Sequence, residues 1–499
     1  MTSTTCGAAS PNGFLGQRSF VFRPLEGVKG VEVGASRGTT FSQYIIPKVV
    51  RMPIPEKYSG RFIYHFTHID NLPGLLKTGF VANGHADFPN GVQSIAEAGI
   101  QARRSQMGVS CGPRGVVHDY VPFYFGAKSL MLLGVIHKKN IDQCDILYFE
   151  FPISLLNHQN VVFTDASANT AVAPNFYSDP ANLDQLNWAE IDSQKWSCAN
   201  DELRHQRMAE ALFHGHVPLS AASACVVWNE SSKAKVEKLT KGVKDFPKIQ
   251  FESPNRRHYF TKFLLKEEKG QSLVQGPNAL ASTFDAVCEH FKEHIGKNSQ
   301  TAPFAGPKAI LEGLKKNFGA IPETAELIGL ETVNRVHKET VDVHTKQVVE
   351  TLLALPEFED LDARQKVLIE LAAYLHDIGK GPKKRWLDEK TGKCMQQNDP
   401  DHPLNGMIMV ARILTEDVRS IKLENAKLIA KLVCYHDLVG DVLGRGRHEA
   451  QIAKVAEDEE ELKLIFLLGK ADASTLGFCW DQTKADAIFA TALNAIEAK

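Results

Sequence analysis

Leu371–Lys380 reads LAAYLHDIGK, and the His376–Asp377 pair inside it decides how the second half of the chain is read. The apolar run before it (Leu368, Ile369, Leu371, Ala372, Ala373, Leu375) predicts a buried helix. That helix delivers two metal-competent side chains at its end, before Gly379 stops it. A His–Asp dipeptide alone is weak, because a satisfied core histidine beside a capping Asp is the commoner arrangement. Its company changes the odds. His344 lies in VDVHTKQVVETLLAL, His402 in DHPLNG, His436 in KLIAKLVCYHD and Asp472 in LLGKADAS. Neutral imidazoles with carboxylates suit divalent transition metals, and ligands on separate helices suit a site inside a bundle.

From residue 307 onward the apolar spacing of three and four predicts an almost wholly helical region. Residues 1–57 are rich in Gly, Ser, Thr and Pro and read as a loosely held extension. Residues 58–264 interleave strand-like runs such as CDILYFEF and SACVVW with short helices, an α+β pattern. There RFIYHF reads as a strand, LPGLLKTGF as a helix ended by Gly79, and DELRHQRMAEALF as one helix. Residues 265–306 read as a polar linker with one amphipathic helix around Phe284–His294, crossed by few contacts. The acidic run EDEEELK reads as a solvated helix face.

The chain has 499 residues and a formal charge of −2. Residues 1–264 carry 27 Lys and Arg against 22 Asp and Glu, and the remainder 30 against 37. A mildly basic front half permits nucleic-acid contact without demanding it. No stretch is apolar enough for the ~18 residues that a membrane span needs. The nine cysteines contain no CxxC, and the N-terminus lacks the pattern of a signal peptide, so a cytoplasmic location is expected.

Three features of the front half carry chemistry. His65 and Thr67 alternate on a strand and share a face, where strand filler is an equal reading. Arg103 and Arg104 precede a Gly-Pro-rich loop, and a guanidinium fork suits a pyrophosphate, although exposed Arg pairs are common. Glu210 falls in the apolar phase of RMAEALF, where a carboxylate is costly unless it is partnered, catalytic or near solvent.

Taken in order, YHFTHIDNLPGLLKTGF, IQARRS, VVHDYVPFYFGAKSLML, VVFTD and RMAEALF resemble the DarT-type ADP-ribosyltransferases over residues 58–264. The resemblance implies an NAD+-dependent transfer of ADP-ribose to a base of single-stranded DNA, with RNA as an alternative acceptor. It implies that His65, Thr67 and Asn71 line the NAD+ site and that Tyr124 and Met131 pack near the nicotinamide. Arg104 would be the essential arginine and Glu210 the catalytic glutamate. A toxin or phage-defence role follows from the same likeness. The chain departs from the pattern at Ala166-Ser167-Ala168, where relatives often carry a His, and in the less basic approach to Glu210. Tyr120, Phe123, Tyr124 and Phe125 are candidates for base stacking.

The order H…HD…H…H…D resembles the HD-domain phosphohydrolases over 331–480, within a domain placed at 307–499. It implies that His344, His376, Asp377 and Asp472 hold a divalent transition metal (Mn, Fe, Co, Ni or Zn). His402, His436 and Lys380 would serve a second metal or a phosphate, with Asp437 orienting His436. Arg445 and Arg447 are weaker phosphate candidates. A nucleotide or another phosphate ester is the expected substrate. The fold class expected is thus an α+β transferase domain followed by an all-α helical bundle. The main reading is a bifunctional enzyme. One alternative makes the HD domain a lone nucleotidase with a nucleic-acid-binding front module. Another makes the transferase act on RNA under a nucleotide-sensing HD regulator.

Overall fold

The computed structural model describes residues 53–95, 98–170, 172–263, 270–298, 300–333, 339–476 and 480–499. The reading of residues 1–52, of residue 264 and of the stretch 265–269 within the expected linker lies outside them.

An eight-stranded sheet organises the front half. In spatial order its strands are Lys248–Phe251, Ala224–Val227, Ile146–Pro152, Phe62–His68, Tyr120–Tyr124, Glu210–His214, Val161–Thr164 and Phe176–Tyr177. Neighbours are antiparallel except Lys248–Phe251, which runs parallel to Ala224–Val227. The central strands are aromatic and β-branched, as a sheet buried on both faces requires. Phe62–His68 pairs along its whole length with Ile146–Pro152, yet meets Tyr120–Tyr124 at one register alone, Tyr64 opposite Tyr124. The sheet therefore opens on that side of Phe62–His68, and a cavity lies in the opening.

The strand runs on through His68 into the helix Leu72–Thr78, which Gly79 closes with φ +66°. That left-handed geometry is why glycine stands there.

The helix expected across 201–213 is corrected. Asn200 caps Asp201–Arg207 by accepting the Leu203 N–H at 2.9 Å, and the helix ends at Arg207. Glu210–His214 is a strand paired on both sides, Glu210 opposite Tyr124 and Ala211 opposite Phe163. A short run buried on both faces has no alternation to separate it from a buried helix.

The rear half is helical. Val341–Ala354, Ala363–Leu375, His402–Arg412, Leu423–Tyr435 and Glu459–Thr475 enclose one apolar core. Asp362 and Gln365 form a reciprocal capping box on Ala363–Leu375, which ends at Leu375, just before the His–Asp pair. Gly379 serves close approach: a Cβ there would strike the carbonyl oxygen of His402 and the N–H of Gly406.

The helix expected in the linker spans Pro277–His294, and Leu280, Val287 and Phe291 bury their side chains in the helical core. Asp142 of the front half accepts the Asn278 and Ala279 N–H groups at 2.9 and 3.0 Å, capping this helix across the junction. Gln275 N–H and Lys262 Nζ both bond Asp401, the residue before His402. The expectation that few contacts cross this segment is thus corrected, and residues 51–499 form one unit.

Candidate functional sites in the two halves

The front cavity holds about 510 Å³ and is lined by His65, Thr67, Asn71, Arg104, Tyr124 and Met131, among others. His65 bonds the Pro122 carbonyl through Nδ1 at 2.8 Å. A carbonyl only accepts, so Nδ1 carries the proton and Nε2 is left as an acceptor. Burial pushes the ring's pKa down to about 4, opposed in part by that hydrogen bond. Asn71 Nδ2 donates to Thr67 Oγ1 and to the Gln93 carbonyl, both at 3.0 Å, and its Oδ1 accepts the Gln93 N–H at 2.7 Å. Asn71 therefore pins the Gly91–Ser94 loop to the strand that forms the cavity floor. His118 donates through Nε2 to Gln101 Oε1 at 2.9 Å, on the wall beside Arg104. Neither Gln93 nor His118 was singled out from sequence, since isolated polar residues in a loop carry no periodic signal.

Glu210 is 1% exposed. Nη1 of Arg104 lies 3.0 and 2.8 Å from its two carboxylate oxygens, and the Ala168 N–H donates to Oε1 at 3.0 Å. The segment Ala166–Ala168 thus holds the buried carboxylate through its backbone. Tyr124 sits opposite Glu210 in the ladder, and burial, reinforced by that carboxylate, drives its phenol pKa well up. A single guanidinium nitrogen serves both oxygens, and Arg104 also lines the cavity. Arg103 is exposed and donates from Nε to the Asn169 carbonyl at 2.8 Å. Of the aromatic group, Phe123 and Phe125 are core at 0% and 3% exposure, while Tyr120 and Tyr124 line the cavity.

In the rear half the structure brings together His344, His376, Asp377, His402, His436 and Asp472. Their donor atoms form overlapping groups: His344, His376 and Asp472; His376, Asp377 and His436; and His402, His436 and Asp437. His376, His402 and His436 each place Nδ1 on a backbone carbonyl, of Ala373, Asp399 and Val433, at 2.7, 2.8 and 2.8 Å. Each Nδ1 is thereby a protonated nitrogen, and each Nε2 faces inward, the orientation in which an imidazole binds a metal. His402 Nε2 and His436 Nε2 lie 3.2 Å apart, two lone pairs face to face. His376 Nε2 and Asp377 Oδ1 are buried without a hydrogen-bond partner. A cation between these atoms answers all three facts, and the mixed N/O donor set fits a divalent transition metal.

The charges agree. Burial alone would raise the Asp472 pKa, but the bond to His344 (3.1 Å) and the nearby His376 hold it below the ordinary carboxylate range. Burial opposes protonation of His376, and Asp377 and Asp472 reverse that, carrying it up to about 9. The cluster thus demands positive charge at its centre. Lys380 Nζ lies on Asp377 Oδ2 at 2.6 Å, supplying part of it. Arg447 is buried against Asp441 and Gln451, and Arg445 pairs with Asp441 from the surface. Sequence reading missed Lys139 of the front half, whose Nζ stands 3.9 Å from Asp437 Oδ2. No periodicity could have signalled a contact that spans about three hundred residues.

Two family models match, "ssDNA thymidine ADP-ribosyltransferase, DarT" over residues 64–260 and "HD domain" over 341–467. The DNA ADP-ribosyl transferase of Thermus sp. (strain 2.9) is 34% identical over 193 residues, covering 38% of this chain and 90% of that protein. Among solved structures, Thermus sp. 2.9 DarT in complex with ADP-ribosylated ssDNA aligns at 30% identity and a TM-score of 0.37, covering 42% of this chain and all of that one. The same protein in complex with NAD+ aligns at 27% identity and a TM-score of 0.35, covering 41% and 100%. With nine-tenths of a relative matched at that identity, and with an HD domain following in the same polypeptide, the chain belongs to the DarT family of DNA ADP-ribosyltransferases.

Proposed function

We propose that the front half cleaves NAD+ and transfers ADP-ribose to a base of single-stranded DNA, thymidine in the family's description, as a toxin or defence effector. The observation that carries this reading is the Arg104–Glu210 pair beside a cavity of nucleotide size. NAD+ occupies the cavity. His65, neutral over the physiological range, offers Nε2 as an acceptor, and Thr67 and Asn71 hold the strand and loop around the ligand. The pyrophosphate draws the Arg104 fork toward itself. That movement strips Glu210 of its counter-charge at the moment when oxocarbenium character develops at the ribose, and the carboxylate stabilises that charge. Glu210 then takes the proton from the attacking base nitrogen as the new glycosidic bond forms and nicotinamide leaves.

The rear half acts on a phosphate ester. His344, His376, Asp377 and Asp472 hold one divalent cation, and His402, His436 and Asp437 a second. When bound, such a cation supplies Lewis acidity and an activated water. Lys380 offers its ammonium to a phosphate oxygen as it exchanges away from Asp377. The His376 Nε2 and Asp377 Oδ1 atoms, buried without a hydrogen bond, support this reading. The test is incubation of the full-length protein with labelled NAD+ and separate pools of single-stranded DNA, duplex DNA, RNA and protein. A second assay uses an aryl phosphodiester and a nucleotide panel with Mn²⁺. Label confined to protein or RNA refutes the first reading, and inertness of a metal-loaded protein across the panel refutes the second.

A further inference from the structure

The front half reaches the rear centre through one turn. The helix Leu130–His137, whose Met131 and Val135 line the front cavity, ends and the chain enters the helical half at Lys138–Asn140. Lys139 takes a left-handed backbone with φ +52°, a conformation that a non-glycine residue adopts only where its surroundings impose it. The surroundings are visible. The Lys139 carbonyl accepts from Gln451 Nε2 at 2.9 Å. Asn140 Nδ2 donates to the Gly446 carbonyl at 2.9 Å, and its Oδ1 accepts the His448 N–H at 2.7 Å and Gln451 Nε2 at 3.1 Å.

These bonds drive a buried ammonium at two carboxylates. Lys139 Nζ is 3.9 Å from Asp437 Oδ2 and 3.9 Å from Asp441 Oδ2. Asp441 has other cations, Arg445 at 3.2 Å and Arg447 at 3.7 Å. Asp437 instead faces the imidazoles, with Oδ2 3.8 Å from His402 Nε2 and Oδ1 3.6 Å from His436 Nε2. Asp377 Oδ1 reaches the same pair from the other side, 3.4 Å from His402 Nε2, so Asp437 is the second of two carboxylates there.

We infer that Lys139 is a built-in competitor for the second cation subsite, an ammonium from the transferase half that neutralises Asp437 in place of a divalent ion. The inference rests on the reading of the cluster as a metal centre. Lys139 is buried and Asp437 half-buried, so two cations sharing this carboxylate repel with weaker screening than at an open surface. While the Lys138–Asn140 turn is docked, the second cation binds weakly. The first subsite meets a different ammonium, Lys380 Nζ at 2.6 Å from Asp377 Oδ2, so a change at Lys139 acts on the second. Loading of the second subsite therefore reports whether the two halves are engaged there.

The full-length protein is stripped of metal and titrated with Mn²⁺ by calorimetry, with bound Mn²⁺ counted by elemental analysis after dialysis. Lys139→Met keeps the length of the side chain and removes its charge. It is expected to tighten the second equivalent at least tenfold and leave the first unchanged, while Lys139→Arg behaves as the parent. Gln451→Ala, which loosens the turn with Lys139 intact, shifts the second equivalent in the same direction. An unchanged or weakened second equivalent in both Lys139→Met and Gln451→Ala overturns the inference alone. A parent protein that binds no Mn²⁺ at all overturns it together with the metal-centre reading.

Discussion

Nη1 of Arg104 contacts both carboxylate oxygens of Glu210, at 3.0 and 2.8 Å, so the carboxylate proposed to act on NAD+ is held neutralised and 1% exposed. Glu210→Gln keeps the size of the side chain and its bond from the Ala168 N–H, so the fold should persist. Transfer of ADP-ribose should fall by ~10²–10³ or more, the usual cost of losing a charge partner in the transition state. Single-turnover labelling with NAD+ reads the loss, and a parent-like rate would remove Glu210 from the mechanism.

Arg104→Ala should impair NAD+ use far more than Arg103→Ala, because Arg103 bonds the Asn169 carbonyl on the surface. It should also lower stability by about 3 kcal/mol, since it leaves a buried carboxylate without its cation. Denaturant unfolding of the two variants, beside their NAD+ dependence, checks both statements. Equal effects would place the phosphate contact elsewhere.

His65 is pushed down to about 4 by burial, against an unfolded value near 6.5. Its folded form binds fewer protons than the unfolded chain between those values. Stability from this residue is therefore complete above pH 6.5 and is lost as pH falls toward 4, by up to about 3 kcal/mol. Unfolding free energies of the parent and of His65→Gln, measured from pH 7 to pH 4.5, should converge as pH falls. A constant difference would mean that His65 titrates normally.

Gly379→Ala is expected to lose bound metal with every proposed ligand still in the chain. The added Cβ meets the carbonyl of His402 and the N–H of Gly406, backbone atoms that cannot swing aside, and so separates Asp377 from His402. Asp377→Ala should lose metal directly. Elemental analysis of both variants, with thermal unfolding to show that each still folds, decides the point. Full metal content in Gly379→Ala would show that the junction yields where the packing implies that it cannot.

Helix content was legible where apolar spacing was long and regular, as across Ala363–Leu375 and Leu423–Tyr435. The six rear residues His344, His376, Asp377, His402, His436 and Asp472 were marked by residue type and order, and they converge because their helices pack on one core. The path from Arg207 to His214 was not legible, because EALFH is buried on both faces and shows no alternation. Phe123 and Phe125 cannot be separated from stacking residues by sequence either, since an aromatic run looks alike whether or not it faces a ligand. What sequence could not offer at all was the junction. Asp142, Lys139 and Asp401 carry ordinary surface residue types, and their partners are distant in the chain.

Asp142 sits at the N-terminus of a helix that belongs to the other half, with Gly276 so close that a Cβ would meet the Ile141 carbonyl and the Asp142 backbone. Such a fit has consequences for descent. A transferase half borrowed from another gene would arrive without the carboxylate at 142 or the turn at 138–140, leaving the helix uncapped and the acidic rim of the bundle bare. The two halves are accordingly expected to be inherited as a pair, with substitutions at position 142 matched by changes at 276–279, and shuffled hybrids should fail at this seam before either chemistry is tested.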